Sequence, residues 1–563
     1  MMRLNSINKF FSYRSVLLLI LCVVGINIVA TSNAARGKRR VVKDNRVYLI
    51  HSDELKFDMY GANPGAQIVK GRVHFSHQGA QLWCDSAYFY QESNSVKAFG
   101  HVRYQQGSNL RLKADRASYD GQAQLLEARK NVVLNHGKQV LYTDSLDYDR
   151  LYDYAYFFDG GRLIDGKDHL SSDWGEYSTK THDATFYYNV RMRNGSRLIE
   201  TDTLHYNTEK KIAHITGPSK INQNGSIINT EDGFFNTATD KAELYGRSTI
   251  VDANRTITGD SLYYNRNTGL AQGYGNVIYV DSKNKNILTC ERMNYNEKSG
   301  YGWATGKAIA KDYSQKDTLY MHADSMKIYT YNIDTDSLYR VVHCFDHVKV
   351  YRIDAQAICD SMVVTTKDSC MTMYKDPIVW NGDRQILGEV IKVYMNDSTI
   401  RDAHVIGQAL SVELVHDKKH YNQISSKVMD AYFENGNIRR TVAYGNVKSI
   451  YYPIDDQDSS LIGLNYLESD TIKMYMDENR RLERIWVPKP KGTTYPMTQI
   501  PTGRDKLYEF AWFEDLRPTD PADILVWRGK GDGQGLKEIK RHDAPLQRLP
   551  KKENEPTVKE EEQ

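Results

Sequence analysis

The sequence lacks most of the features that identify enzymes and nucleic-acid-binding proteins. It has no Gly-x-Ser-x-Gly elbow and no His-Glu-x-x-His stretch, which are the local patterns of many serine hydrolases and zinc proteases. Charge of one sign is not in excess either, since 74 basic and 71 acidic residues give a formal net charge of +3. Because no basic block interleaved with aromatic residues occurs, nucleic-acid binding is not favoured. We predict no catalytic residue, no cofactor and no nucleic-acid partner.

Long apolar stretches are also lacking, apart from one near the N-terminus. Residues 16–30 are mostly apolar, follow the basic residues Lys9 and Arg14, and precede the small-residue site Ser32-Asn33-Ala34. Because such a stretch is shorter than the roughly 20 residues that cross a bilayer, it predicts a signal peptide over residues 1–34, cleaved after Ala34. Export is the expected consequence.

Cysteine is scarce, with six copies in 563 residues. Removal of the signal peptide leaves five, an odd number in an oxidising compartment, so no disulfide framework defines the fold. The cluster His343-Cys344-Phe345-Asp346-His347 resembles a metal site in composition only. Its surroundings predict a strand, in which the two histidines would lie about 13 Å apart. We predict no metal site.

What the sequence does contain is a repeat that runs through most of the chain. Each copy has an apolar residue, any residue, a small residue, an acid, any residue, an apolar residue, any residue and an aromatic residue, as in Leu112–Tyr119. Two weaker copies, with Lys427 and Asp470 in the acid position, bring the total to fourteen between about residues 48 and 487. Successive acids lie 29 to 36 residues apart, at Asp53, Asp85, Asp115, Asp144, Asp173, Asp202, Glu231, Asp260, Glu291, Asp324, Asp360 and Glu389.

Each copy predicts two antiparallel strands joined by tight turns. A second phrase, Gly-x-Val or Gly-x-Ala, follows the acid, as at Gly100 and Gly275. Asn-Gly pairs such as Asn194-Gly195 separate the copies, and they favour tight hairpins because these residues accept positive φ. Composition agrees, because 40 tyrosines accompany abundant Val, Ile and Thr. The fold class is therefore all-β.

The strand that carries the acid changes face in its middle. Leu112 and Ala114 share one parity, whereas Ala117 and Tyr119 share the other. A strand that changes parity yet keeps its apolar residues on one side must bend or bulge. We therefore predict an elongated, V-shaped β-jelly roll of about fourteen repeats of two antiparallel bent strands. The acids, about 10 Å apart along the stack, are expected to stabilise the bends rather than to bind a metal or catalyse a reaction.

The chain divides into four predicted regions: the signal peptide over 1–34, regular repeats over 45–330, a divergent continuation over 331–487, and residues 488–563. In the last region the repeat stops and prolines become frequent. Its aromatic island is expected to cap the last repeat, with a docking peptide as the rival interpretation, and the charged end is expected to be disordered. The island contains Tyr508, Phe510, Trp512, Phe513 and Trp527.

These motifs carry a resemblance to a known family. The stretches that carry it are Ile50-His51-Ser52-Asp53 with Leu55-Lys56-Phe57-Asp58, then Val69-Lys70-Gly71-Arg72-Val73, Leu112–Tyr119 and Gly445-Asn446-Val447. They resemble the OstA/LptA-like family of periplasmic lipopolysaccharide-transport proteins, in the long OstA-like form of Bacteroidetes. The likeness covers residues 45–330 well and 331–487 loosely.

The resemblance implies a periplasmic, non-enzymatic bridge component associated with outer-membrane assembly. Its interior would bind lipopolysaccharide and convey it towards the outer membrane. Inner-membrane and outer-membrane transport proteins would bind through end-on stacking of β-strands, and self-association could use the same edges. The predicted lipid-binding residues are Leu55, Phe57, Phe89, Leu112, Tyr119, Leu146, Tyr148, Tyr177, Leu204, Tyr206, Phe235, Leu262, Tyr264, Met293 and Tyr295.

Two alternatives remain open from the residues alone. The inward aromatic column fits a packed core and a lipid-lined groove equally well. An extracytoplasmic repeat protein that binds carbohydrate or acts as an adhesin would also be β-rich, although the coils of a parallel β-helix are shorter and are not joined by Asn-Gly hairpins.

Overall fold

A computed structural model of the chain describes residues 45–528, apart from residues 58, 397–398, 456 and 479–481. The predicted signal peptide and the predicted charged tail lie outside the described residues. No helix within the described part of the chain is long and apolar enough to cross a membrane.

The described chain forms 34 strand segments, which pair antiparallel in one continuous sheet. The first seventeen are β1 Tyr48–His51, β2 Glu54–Phe57, β3 Gln67–His77, β4 Ala80–Tyr90, β5 Ser95–Gln106, β6 Leu110–Asp120, β7 Leu125–His136, β8 Gln139–Asp149, β9 Tyr154–Phe157, β10 Gly161–Asp165, β11 Asp168–Ser172, β12 Trp174–Ser178, β13 Asp183–Asn194, β14 Arg197–Asn207, β15 Ile212–Gln223, β16 Ser226–Asn236 and β17 Lys241–Asp252.

The remaining strand segments continue the same pattern, and three short 3-10 helices follow them at Met497–Gln499, Glu514–Leu516 and Asp523–Leu525. These segments are β18 Arg255–Asn265, β19 Leu270–Asp281, β20 Asn286–Asn296, β21 Tyr301–Asp312, β22 Leu319–Tyr331, β23 Tyr339–Arg352, β24 Ala355–Thr365, β25 Cys370–Tyr374, β26 Ile378–Asn381, β27 Arg384–Leu387, β28 Val390–Met395, β29 Ile400–Leu414, β30 Tyr421–Glu434, β31 Asn437–Tyr451, β32 Gly463–Met476, β33 Leu482–Trp486 and β34 Lys491–Pro496.

The predicted fold class is confirmed, including the number of repeats. Six bent strands are interrupted at their bend, namely β1/β2, β9/β10, β11/β12, β25/β26, β27/β28 and β33/β34, so the 34 segments make 28 bent strands in fourteen pairs. Each bent strand between the first and the last pairs with the strand before it and the strand after it. The result is an elongated stack of hairpins.

Each bend is a bulge at the predicted position. Between β5 and β6 the pairing passes from Phe99–Arg116 to Val102–Ala114, so the two residues 100 and 101 lie opposite Asp115 alone. Gly100 has a φ of +77° and His101 a φ of +43°, and glycine adopts such values without steric cost. The acid strand makes the predicted change of parity, since Ala114 and Ala117 are both buried, whereas the bulged strand keeps one parity, with Ala98 and Val102 both buried. The extra residue of the bulge therefore lies on the strand that pairs with the acid strand.

The acid column stabilises these bulges. Asn276 donates to Asp260 at 2.9 Å, Asn131 to Asp115 at 2.8 Å and Asn189 to Asp173 at 2.6 Å. In each case the donor is the second residue of the bulge on a neighbouring strand. The donors in these three pairs are side-chain amides. Carboxylates at bends also commonly accept hydrogen bonds from backbone amides. The acids therefore hold the bend in place.

The bends divide every strand between two sheets that enclose the interior. We call the sheet that contains the β6 half-strand 110–113 the A sheet and the sheet that contains 116–120 the B sheet. Hairpin turns such as 77–80 close the A sheet, and turns such as 120–125 close the B sheet. We call the long opening between these two rows of turns the mouth.

The interior contains two successive apolar clusters. The first runs from Val47 to Leu262 and the second from Val277 to Ile472. All five cysteines of the described chain are buried as thiols, and burial raises the pKa of Cys84 to about 12 and that of Cys290 to about 11. Packing and backbone pairing therefore stabilise this fold without disulfides.

The C-terminal segment, residues 497–528, packs on the outer face of the A sheet. Gln385 donates to the Ala511 carbonyl at 2.9 Å, and Arg517 donates to the Gln356 side chain at 2.7 Å. The aromatic residues that were expected to cap the last repeat thus contact the side of earlier strands. The outer apolar cluster contains Ile358, Ile378, Trp380, Leu387, Leu410, Val412 and Leu516, with Phe510, Trp512, Phe513 and Trp527 packed against it.

The length of the stack is a first prediction. Twenty-eight strands at about 4.8 Å each give roughly 130 Å before twist, and a rod of that length has a radius of gyration near 40 Å. A compact domain of 563 residues would have about 24 Å. Small-angle scattering of the monomer should therefore show an extended particle, and a value near that of the compact domain would contradict the fold.

The bulge geometry gives a second prediction. A Cβ at Gly275 would lie 2.5 Å from Asp260 Oδ2 and 2.9 Å from its Cβ, whereas a Cβ at Gly225 meets nothing within 4 Å, and both residues have positive φ. Gly225→Ala should cost about 1 kcal/mol through φ alone. Gly275→Ala should cost about 2–3 kcal/mol, because the bulge must also move. Urea unfolding measures both, and equal costs would contradict the role assigned to the acid column.

Candidate functional site

The predicted lipid-binding residues lie mostly on the inward face. Eleven of the fifteen are buried: Phe89, Leu112, Tyr119, Leu146, Tyr148, Tyr177, Leu204, Tyr206, Phe235, Leu262 and Met293. Tyr264 and Tyr295 are half-buried. Leu55 and Phe57 are 55% and 53% exposed, because within the described residues β2 pairs only with β3 and forms the edge of the stack. Lipid contact by these residues stays a prediction.

Rings fill the interior of the first half. Phe75 lies 5.4 Å from Phe89, and Tyr104 lies 6.3 Å from Tyr119 and 6.2 Å from Tyr148 between ring centroids. The Phe157 and Phe186 rings are 6.2 Å apart and buried. Phe75, Tyr104, Phe157 and Phe186 were not among the predicted residues. All four lie on the second strand of a repeat, whereas the predicted column follows only the first.

Polar contacts close the mouth over this first half. In the earliest, His77 Nδ1 of the A sheet lies 2.6 Å from the Tyr119 hydroxyl of the B sheet. Arg150 donates across the same gap to the carbonyl oxygens of His77 and Gln78, at 2.9 and 2.5 Å. The A-sheet and B-sheet turns are therefore tied together directly.

Three further contacts follow along the mouth. His136 Nδ1 lies 2.8 Å from the Tyr177 hydroxyl and stacks on His182 with 5.3 Å between centroids. The Tyr206 hydroxyl donates to Asp168 at 2.6 Å and to Asp165 at 3.0 Å. Each contact joins residues about forty positions apart, which the repeat places on opposite sides of the mouth.

The last of them is formed by Arg197. Its guanidinium pairs with Asp240 at 3.2 Å and lies 3.6 Å from the centroid of the Phe235 ring. Arg197 is nearly fully buried, so both the charge and the cation–π contact act where solvent screening is weak. The first half is thus closed from Val47 to about Asp240.

Burial keeps the mouth tyrosines protonated. It raises the pKa of Tyr148 and of Tyr177 to about 12 each. Burial together with the hydrogen bond to Asp168 also raises the pKa of Tyr206. These hydroxyls therefore remain neutral at any physiological pH.

The interior of the second half is different, because its walls stay partly exposed. Sixteen half-buried apolar residues line the second cluster, against four in the first. Residues near the bend, such as Val277 and Ala308, are fully buried, whereas Leu288, Met321 and Val342 nearer the mouth are half-buried. The second half is therefore an open apolar trough, which we call the groove.

Methionine is concentrated in the groove. The second cluster contains eight methionines and the first contains only Met192. Methionine side chains are flexible and polarisable, and they adapt to ligands of varied shape. This enrichment of methionine is visible in the sequence. The repeat position two residues after the acid is Leu at 146, 204 and 262, whereas it is methionine in later copies. The eight are Met293, Met321, Met326, Met362, Met371, Met373, Met429 and Met474.

A polar concavity of about 870 Å³ lies at the bend of β13–β17. Asp202 and Glu231 of the acid column line it, together with Arg191, which pairs with Glu200 at 3.2 Å. Within the described residues, no group of three or more His, Cys, Asp or Glu side chains could hold a metal ion. His347 of the cluster noted in the sequence pairs with Asp324 at 2.8 Å instead.

Comparison with known proteins gives two matches. Residues 44–202 match the family model described as OstA-like protein, and residues 169–301 match that described as LptA/(LptD N-terminal domain) LPS transport protein. A search of curated proteins gives no match. The resemblance predicted from the sequence is thus confirmed, and the matched residues cover the closed half and the beginning of the groove.

His136 gives a prediction on pH. Burial, and then the neighbouring His182, lowers the pKa of His136 below its ordinary value. The folded state therefore binds this proton less readily than the unfolded chain, so the stability is fully present above about pH 6.5 and falls as the pH drops towards the folded pKa.

His136→Gln should consequently lose less stability than the wild type between pH 8 and pH 5, as measured by thermal unfolding. His169→Gln is the matched control, because His169 is exposed on the outer face, and it should keep the wild-type pH dependence. Identical pH dependence in all three proteins would show that the mouth contact at His136 does not titrate.

Proposed function

We propose that this chain, which matches the OstA-like and LptA/(LptD N-terminal domain) family models, binds lipopolysaccharide and conveys it through the periplasm as a bridge component. The role is one of binding and not of catalysis. The observation that carries the proposal is the apolar interior between two bent sheets, which extends along the stack as two successive clusters and opens at the mouth in the second half.

This geometry suits an amphiphile with several acyl chains. Apolar walls can receive the chains while the mouth leaves the sugars and phosphates in water, and burying each methylene contributes about 0.8 kcal/mol. The predicted residues Tyr264 and Tyr295 keep exposed surface on these walls. We assign lipid contact first to them and to their half-buried neighbours.

Both ends of the stack support the proposed partner contacts. β1/β2 at one end and β33/β34 at the other each pair on one side only within the described residues. An unpaired edge can add a strand from another chain. Apolar residues are exposed there, namely Ile50, Leu55 and Phe57 on the first edge and Leu482, Ile485 and Trp486 on the last. Inner-membrane and outer-membrane transport proteins, or a second copy of this chain, would stack end-on at these edges.

The periplasm is the proposed location. It follows from the signal peptide predicted over residues 1–34 and from the families that match the chain. An association with the outer-membrane assembly machinery would place one edge of the stack at each membrane.

A second candidate function is carbohydrate binding by the outer surface. One observation favours it: a ladder of aromatic rings crosses the outer face of the B sheet, with centroids 4.2 to 6.4 Å apart. Aromatic faces can stack on sugar rings, but most of these rings pack edge-to-face on one another. The ladder contains His205, His214, Phe234, Tyr245, Tyr263 and Tyr274.

Two neighbouring residues of β20 test the lipid-binding proposal. Leu288 faces the groove and Ile287 faces outward, and both are half-buried. Leu288→Asp should weaken binding of purified lipopolysaccharide by roughly tenfold or more, because a carboxylate would have to be desolvated beside the acyl chains. Ile287→Asp should bind normally.

Circular dichroism and thermal unfolding control for folding of both variants. Equal loss of binding in the two would mean that lipid does not use the inward face. No lipopolysaccharide binding by the wild-type protein would remove the proposed function itself, and oligosaccharide binding that depends on Phe234 would favour the second candidate.

A further inference from the structure

We propose that the acyl chains of lipopolysaccharide occupy only the groove of β18–β32, and that Arg255 and Arg340 at its mouth bind the phosphate groups of the lipid A part. The inference rests on the proposed function and adds where the lipid lies and what recognises its headgroup.

The first half has no room for acyl chains. Its interior is filled by rings that contact one another, and Tyr148, Phe157, Phe186 and Tyr206 are each 1% exposed. An interior at ordinary packing density admits no chain unless side chains move out. Entry would also require the four mouth contacts at His77, His136, Asp165/Asp168 and Arg197 to break.

The groove, by contrast, offers unfilled apolar surface. Thirteen bent strands from β18 to β32 at about 4.8 Å each give a trough of roughly 60 Å. Its half-buried walls expose apolar surface that an acyl chain would cover, which is favourable by about 25 cal/mol per Å². Flexible methionines near the bend can adjust to chains of different length.

An open interior would destabilise a β-stack unless burial elsewhere offsets it, and the C-terminal segment provides that burial. Residues 497–528 cover the outer face of the A sheet along β23–β30, where Trp380, Ile378 and Val412 are fully buried. Lys349 donates to the backbone carbonyl of Asp523 at 3.2 Å. The second half therefore has an apolar layer outside the A sheet that does not depend on filling the groove.

The mouth of the groove carries two arginines around one acid. Arg255 Nε lies 3.8 Å from Asp281, and the Arg255 side chain is 55% exposed. Burial raises the pKa of Asp281, but hydrogen bonds from Asn284 and the charges of Arg255 and Arg340 more than offset this, and the pKa lies below its ordinary value. Burial raises the pKa of Tyr279, and the positive charges of both guanidinium groups oppose that shift. Tyr279 is half-buried in the groove wall below them.

This arrangement suits a phosphate group attached to acyl chains. Arg255 lies near Asp281, and the charge of Arg340 also acts on that carboxylate. Guanidinium binds phosphate through paired, charge-assisted hydrogen bonds. Tyr279 connects the charged mouth to the apolar wall. A neutral lipid would not use the arginines, and free phosphate would not use the wall.

Equivalent tyrosines of the two halves allow a direct test. Tyr148 and Tyr206 belong to the closed half, and Tyr264 and Tyr295 occupy the same repeat position in the groove. A photo-crosslinking phenylalanine derivative at each site, in cells that make lipopolysaccharide, should trap it at Tyr264 and Tyr295 only. Crosslinking at all four positions would overturn the confinement to the groove while leaving lipopolysaccharide binding intact.

Hydrogen exchange of the unmodified full chain covers the case in which a derivative at a buried site disturbs folding. Purified lipid A should slow exchange within residues 255–476 and leave residues 80–215 unchanged. Protection of the first half would overturn the proposal. Absence of binding at any position would overturn both this inference and the proposed function.

The headgroup site is tested with the pair Arg255→Gln/Arg340→Gln. Binding of bisphosphorylated lipid A should weaken at least about tenfold, whereas binding of dephosphorylated lipid A should not change. The matched control Arg103→Gln/Arg111→Gln removes the same charge from exposed positions of the first half and should bind both lipids normally. Equal weakening for both lipids, or phosphatidylglycerol vesicles binding as tightly as lipid A, would overturn the site.

Discussion

The bend in the middle of each strand, with a bulge on every second strand, is the constraint on which the rest of the structure depends. A regular strand alternates its side chains between two faces, so a bent strand could not keep its apolar residues inside without a change of parity. The acid strand makes that change at its bend, and the strand paired with it follows the bend through two residues of positive φ, as at Gly275 and Asn276. The acid of the neighbouring strand then holds the bulge through the Asn side chain. Repeated along the stack, this local unit creates two sheets and one shared interior.

The interior differs between the two halves of the stack. In the first half it is filled with tyrosine and phenylalanine and closed at the mouth by polar contacts, which makes it an ordinary core. In the second half the equivalent strands are lined by methionine, valine and alanine, and the walls near the mouth keep exposed surface. The C-terminal segment stabilises that half from outside. The closed half and the open half thus share one backbone pattern and differ in the size of the side chains that line the interior.

Much of the fold could be predicted from the repeat itself. The fourteen copies, the bend at the acid and the inward position of Tyr119 or Leu204 all follow from periodicity and parity, which are local properties. The exposure of Leu55 and Phe57 was not predictable from them, because their repeat position is standard and they are exposed only by lying on the edge strand of the described chain. The closure of the mouth was not predictable either, since it depends on pairs such as His136 and Tyr177 that belong to different copies. The packing of residues 497–528 along β23–β30 depends on contacts over more than a hundred residues, such as Gln385 with Ala511.

Native mass spectrometry of the protein isolated from its own cells tests most directly whether the interior of this β-stack binds lipopolysaccharide. We expect a bound species whose mass and fragments identify a phosphorylated lipid A with several acyl chains. Protein that retains no lipid, or that retains only two-chain phospholipids, would contradict it.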